Sequence, residues 1–511
     1  MKRLLLFVGA LAFTNFATTA CSSDDNSKPD VKPDDKNTEL SFESSKGTYT
    51  GKKGNNGGFD IVLTGKEAAV QLQFVSDVVK DENLLDAVLT PKVYTVSDQG
   101  VLYSLSTDSY LKKGNAQFKF VSGELEVAKS GTTYTVKGLL TDEQKITYKI
   151  DYTGAIDIEP VYDTTYEVQN GWYWGDNEYD NPNIGEYMTY FTQGQANKYG
   201  ELEGDGHHIS LSFFDEMAPK AWEAKVPNKT FKASTEFKKG SFRVASKEAI
   251  DSGEADYSFA SFTHKDSKAG IDKELYITDG SIKVMDNAKG QEIRFNIQMQ
   301  DGSKHVGKYV GNVKQGDQYT ISTLRADRTV GNLTQGFLEY KGKSPINGKV
   351  NNRWNIYLYN DKLIPYPEFY WAVEGSGEWM RVTIYTDVNA TTDIPVGVYP
   401  IGEEQAGNAG KGGGTEPGLD WGTWFYELKN DEPVQFAPTR TGTVKIAKTG
   451  NTYTVTVDAV DDRENKIKAT YTGDLKFENN ANRMAPSQKT MTAKKSYGKG
   501  KLYDAAKKSK Q

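Results

Sequence analysis

The sequence has one cysteine in 511 residues, at position 21, and only four histidines. No disulfide can form within the chain, and a single thiol cannot supply a cysteine metal centre. Proline is sparse, with 16 residues against 49 glycines. The one sustained apolar run, Leu4 to Phe16, is shorter than the roughly 20 residues a membrane-spanning helix needs. Gly-x-Ser-x-Gly and His-Glu-x-x-His are both missing, so two common hydrolase signatures are excluded. Carboxylates are too numerous for any pair to single itself out as a glycosidase pair. We therefore expect no enzyme activity and no cofactor. A net charge of −7 and a pI of about 5.5 argue against nucleic acid as a partner.

What the chain does have begins at its N-terminus. Met1-Lys2-Arg3 is positive, the short apolar run follows, and Thr18-Thr19-Ala20 precede Cys21. A charged start, an apolar stretch and small residues describe a secretory signal. Ending directly before a cysteine, it resembles the bacterial lipoprotein signal, in which the peptide is removed and the cysteine takes up acyl chains. Cys21-Ser22-Ser23-Asp24-Asp25 resembles the acidic export signal of surface lipoproteins of the Bacteroidota. That resemblance implies an outer-membrane anchor and display on the cell surface. From Ser22 to about Thr38 the residues are polar apart from Val31. Such a segment buries too little apolar surface to order itself, and as a tether it reaches roughly 20–25 Å.

Between tether and tail the chain repeats itself. Gly123 and Gly154, Gly280 and Gly311, and Gly442 and Gly473 are each 31 residues apart. Tyr152, Tyr309 and Tyr471 stand two residues before the second glycine of each pair, and Ile156, Val313 and Leu475 stand two after it. Inside the interval, period-two alternation of β-branched and aromatic residues predicts strands. In the third copy these are Thr452–Val457 and Lys466–Tyr471, joined by the polar turn Asp461–Asn465; Asp142–Lys145 and Asp301–Lys304 are the equivalent turns. The glycines are expected to relieve crowding or mark bulges.

Upstream, Val70–Phe74, Ile209–Phe213 and Met380–Ile384 alternate in the same way, and Gly47-Thr48-Tyr49, Gly171-Trp172-Tyr173 and Gly336-Phe337-Leu338 open the copies. Asn56-Gly57-Gly58 and Asn347-Gly348 read as hairpin turns, and Asp77–Leu89 is the one stretch that reads as helical. The prediction is an all-β chain of three tandem antiparallel modules, residues 39–160, 161–328 and 329–480. Each is a barrel or a sandwich, with closure expected from pairing of the Tyr-rich first and last strands. The pattern resembles a repeat of surface lipoproteins of the Bacteroidota, a resemblance that brings no catalytic residues. The tail, residues 481–511, carries nine Lys or Arg against Asp504; removing its +8 from −7 leaves −15 for the rest.

Candidate sites are few. His207 and His208 adjoin and point to opposite faces of a strand, so they read as exposed loop-edge residues; His264 and His305 stand isolated. Asp176–Asn181 spaces oxygens like a calcium loop, but Asn181 stands where that loop has glycine and Tyr187 where it has glutamate. No metal is expected. Gly407–Gly414 lacks the Lys-Ser/Thr ending of a phosphate loop and reads as a flexible loop. The aromatic residues Trp172, Tyr173, Trp174, Tyr179, Trp421 and Trp424 form the better signal. Beside Asp, Asn and Gln they suit a flat-faced ligand such as a sugar; equally, Trp172 and Trp174 share a strand face and fit a core. The expected function is capture of a glycan or other nutrient for an outer-membrane transporter, the alternative a structural or adhesive surface protein.

Overall fold

The computed structural model describes residues 38–176, 183–256, 258–346, 349–366, 369–414 and 420–481. Cys21 with its leader and tether, Tyr179, Asn347-Gly348 and the tail beyond Ala481 lie outside them.

Nearly all the regular structure of the described chain is strand, arranged chiefly as three 11-stranded sheets of matching order. Their strands run from Thr38 to Pro160, Thr164 to Asp317 and Arg328 to Asn479. In each, five strands close into a ring. In the second sheet, Leu202–Asp215 pairs with Ser261–Asp266, which pairs with Ile271–Asn287. That strand pairs with Thr230–Ser234, then Ser241–Arg243, which returns to Leu202–Asp215. The corresponding ring of the first sheet is Ala69–Ser76, Tyr110–Lys113, Ala116–Ser130, Val93–Ser97 and Ser104–Ser106. That of the third is Gly377–Thr386, Trp424–Lys429, Glu432–Thr449, Gly397–Gly402 and Ala409–Gly410. The barrel reading holds, but short central strands close the ring, not the Tyr-rich outer ones. One pair in each ring is parallel, a departure from the purely antiparallel expectation.

Two wings leave each ring. One is the 31-residue hairpin, finished by a short parallel strand from the start of the same module, as Arg328–Val330 on Lys466–Asp474. The other is the opening hairpin, finished by a short parallel strand from the module's end, as Lys476–Asn479 on Leu333–Ile346.

The spaced glycines have two distinct jobs. Gly123, Gly280 and Gly442 sit one residue past register shifts, with φ of +121°, +133° and +122°. A β-carbon there would run into the carbonyl of Leu139, Asn296 or Asp458 on the neighbouring strand. Only glycine fits these positions beside the bulges. At Gly154, Gly311 and Gly473 the obstacle is the phenol of the tyrosine two residues earlier. Each tyrosine hydroxyl donates to a carbonyl three residues on: Tyr152 to Ala155 at 2.9 Å, Tyr309 to Asn312 at 3.3 Å, and Tyr471 to Asp474. The hairpin turns also match. Asp142 Oδ1 accepts from the amides of Gln144 and Ile146, and Asp461 Oδ1 from those of Arg463 and Asn465. Lys145, Gly302 and Glu464 take the left-handed position.

Other expectations shift. The first hairpin turns at Gly54-Asn55, two residues before Asn56-Gly57-Gly58. Asp77–Leu89 holds a 3-10 turn, Asp81–Asp86. A short α-helix, Lys247–Ser252, forms where none was predicted, capped by the Ser246 hydroxyl and closed by left-handed Gly253.

By packing, the chain divides into two compact units, the described part of Met1–Gly47 with Gly58–Asp77 and Leu89–Asp157, and Thr48–Gly57 with Val78–Val88 and the described part of Ile158–Gln511. The first unit buries Phe59, Ile61, Leu63, Val70, Leu72 and Phe74. The second holds separate cores for the second and third sheets, around Ile209, Leu211 and Phe213 and around Met380, Val382 and Ile384. In this unit the segment joining those sheets is pinned. The amides of Ile321 and Ser322 donate to Asp462 at 2.7 and 3.0 Å, and Arg463 Nη1 donates to Asp317 at 2.6 Å. The Tyr319 ring lies on Gly175.

Candidate functional site

Strand alternation decides the fate of the aromatic candidates. In Val168–Gly175, Tyr173 faces the core, where it meets Tyr187 at 4.9 Å. Its hydroxyl accepts from the amide of Ala218 at 2.9 Å, and burial pushes its pKa up to about 12. Trp172 and Trp174 take the other face and join Met188 and Tyr190 in a small cluster of their own. Trp174 is buried and Trp172 half-buried, edge-on to Tyr190 at 5.5 Å. These rings are used in packing.

The third sheet carries a longer aromatic array on the outer face of its ring. Tyr359, Trp379, Tyr426 and Trp424 stack in series, with centroids 5.7, 4.4 and 5.7 Å apart and planes within 27°. All are buried, under Leu363, Val373 and the half-buried Ile321 and Phe436. Trp424 is therefore a packing residue. Polar groups run beneath the array. Arg381 Nη2 pairs with Asp420 at 2.5 Å and its Nε donates to the carbonyl of Gly422; Tyr426 donates to Asp420 and Tyr357 to Glu339. Burial drives the Tyr426 hydroxyl well above its ordinary pKa, and the Asp420 carboxylate adds to it against the opposing charge of Arg381.

Trp421 differs from the other candidates. It is 55% exposed, and its indole lies over Gly413, where a β-carbon would collide with the ring. Its carbonyl accepts from Trp424 Nε1 at 2.7 Å. The glycine-rich segment is thus not a free loop. Gly412 lies against Thr423 and Pro438, Gly410 against Tyr385 and Gly413 against Trp421, so the glycines permit close packing. At the edge of the same sheet, Thr334, Gln335, Phe337, Asp361, Ile364 and Lys476 border an open groove of about 750 Å³.

A second feature was hidden from the sequence. At one end of each barrel interior, register-equivalent positions carry different ionisable groups. In the first sheet Lys113 Nζ lies 5.2 Å from the ring centroid of Tyr148, whose hydroxyl donates to Asp142. In the third, Arg328 bridges Glu378 and Glu427, which face each other across paired strands. In the second, His207 and His264 occupy that cross-strand pair. Their rings stack with centroids 4.3 Å apart, and His305 lies 5.7 Å from His207. The histidines are neither isolated nor loop-edge. Burial depresses the pKa of His207 and takes His305 to about 4. His208, on the outer face, is buried beside Tyr190 and also falls to about 4.

The calcium spacing gains no structural support: Tyr187 is a core residue donating to the carbonyl of Glu216, and Asn177–Asn181 lie outside the described residues. Among the described residues no helix is long and apolar enough to cross a membrane. No family model, curated protein or solved structure matches the chain.

Proposed function

We propose that this is a lipid-anchored surface protein that binds an extracellular saccharide, or a nutrient with a similar flat apolar face, through its third module and passes it to an outer-membrane transporter. The observation that carries the binding part is Trp421. An exposed indole normally has rotamer freedom to lose on binding; this one is seated on Gly413, so its free face is presented ready-made. Its neighbour Asp420 is buried and paired with Arg381, which holds in place the short strand that carries the indole. An exposed aromatic face is the usual platform on which a sugar ring stacks. The address rests on the leader, on Cys21 as the acylated residue and on Asp24-Asp25 after it.

Glycan-array and calorimetric binding, wild type against Trp421→Ala, test the binding reading; loss of binding in the variant supports it, and an unchanged profile removes it. Palmitate labelling and surface proteolysis of cells carrying Cys21→Ser test the address independently. A spacer role is the second reading. It is favoured by the pinned segment between the second and third sheets and by the packing use of Trp172, Tyr173, Trp174 and Trp424.

A further inference from the structure

The chain has four histidines, and three of them meet at one end of the second barrel. The geometry points to a transition-metal site there, for Zn²⁺ or Cu²⁺, with His207, His264 and His305 as ligands and Asp163 beside them. This inference is independent of the saccharide reading.

The spacing is the first argument. With Zn–N near 2.05 Å, two imidazoles on a tetrahedral ion have ring centroids roughly 5.2 Å apart. The observed separations, 4.3 and 5.7 Å, bracket that value. In these two pairs the rings stand at the right distance and differ from a ligating set in tilt. They are near parallel, at 24° and 26°, so each must turn about its Cβ–Cγ bond for the nitrogens to converge. His207 and His264 are directly opposed on adjacent antiparallel strands, where side chains are close enough to reach one ion.

The second argument is what sets the tautomers. Metal-binding histidines are oriented by a hydrogen bond at the other ring nitrogen. His207 Nδ1 lies 2.9 Å from Gln193 Oε1, an acceptor, so Nδ1 carries the proton and Nε2 presents its lone pair. His305 Nε2 is 2.9 Å from the Tyr166 hydroxyl, and its Nδ1 is 3.9 Å from Asp163 Oδ2. His207 and His264 are half-buried while His305 is buried, so the cluster has an access side.

The equivalent positions in the other barrels cannot do this. Lys113 with Tyr148 offers no ligand pair, and Arg328 already pairs with both Glu378 and Glu427. The site would belong to the second module alone.

The test uses the full chain without a histidine tag, stripped with chelator and titrated with Zn²⁺ by calorimetry and with Co²⁺ by visible absorption. One ion per chain is expected, with an intense tetrahedral Co²⁺ spectrum and affinity weakened at least about tenfold in both His264→Ala and His207→Gln. Imidazole ¹⁵N NMR gives a readout on wild type alone: Zn²⁺ should shift the ring nitrogens of His207, His264 and His305 and leave His208 in place. Absence of saturable binding, binding undiminished in both variants, or shifts confined to other residues would overturn the assignment.

Discussion

Tyr471 lays its phenol over Gly473, two residues along the same strand, and its hydroxyl oxygen lies 2.6 Å from the point a glycine β-carbon would occupy. Gly473→Ala should therefore displace the ring and break its bond to the carbonyl of Asp474, at about 1–3 kcal/mol. Tyr471→Phe removes the nearest clashing atom. Chemical denaturation of both single variants and the double should show the pair less destabilised than the sum. Strict additivity would mean that the ring does not set the need for glycine.

Gly442→Ala should cost more, about 3 kcal/mol, because the residue has φ +122° and its added carbon would meet backbone rather than a movable ring. The same substitution at Gly450, also left-handed but with open space around it, should cost only about 1 kcal/mol. Thermal unfolding of the two variants reads the difference.

Trp421 and Trp424 should separate cleanly. Trp424→Ala empties a fully buried position in the stacked array and should lose about 3–5 kcal/mol. Trp421→Ala should leave the melting temperature within a degree or two and abolish saccharide retention. A large loss of stability from Trp421→Ala would assign that indole to packing.

These residues also show what sequence could and could not reveal. The Tyr-x-Gly pair and the bulge glycine are short-range steric rules, so a 31-residue spacing carries them intact and the repeat can be read directly. The shared face of Trp172 and Trp174 was equally plain from alternation. Whether that face is covered depends on Met188 and Tyr190, on the neighbouring strand, and nothing near the tryptophans announces it. The histidines are the extreme case: positions 207, 264 and 305 meet only through ring closure. One signal was available, since His207 stands two residues before Ile209 on the core face, where Glu378 stands two before Met380. Aligning the modules on those strands exposes both as ionisable residues at the end of a core.

Metal-free protein should be acid-sensitive through these rings. An unfolded histidine titrates near 6.5, whereas His208 and His305 titrate at about 4 when folded. Between those limits the unfolded chain holds more protons, so stability falls as pH drops from 6.5 towards 4 and is flat above the upper limit. Each buried ring contributes about 3 kcal/mol to that fall. Urea midpoints measured from pH 7.5 to 4.5 should decline, and a spectroscopic probe in the second module should respond before one in the third. Equal decline in both would point to carboxylates instead.

The short parallel strands at the two ends of every module have a consequence for how the chain is made. Three look-alike hairpins in one polypeptide invite strand exchange between copies, and open sheet edges are where exchange starts. Arg328–Val330 and Lys476–Asn479 occupy both outer edges of the third sheet, and they are the first and last strands of that module. Each copy thus carries its own selvedge, woven from its own terminal residues. The second edge is sealed only when the last residues of the copy arrive, so the chain is suited to finishing one module before the next can compete for it.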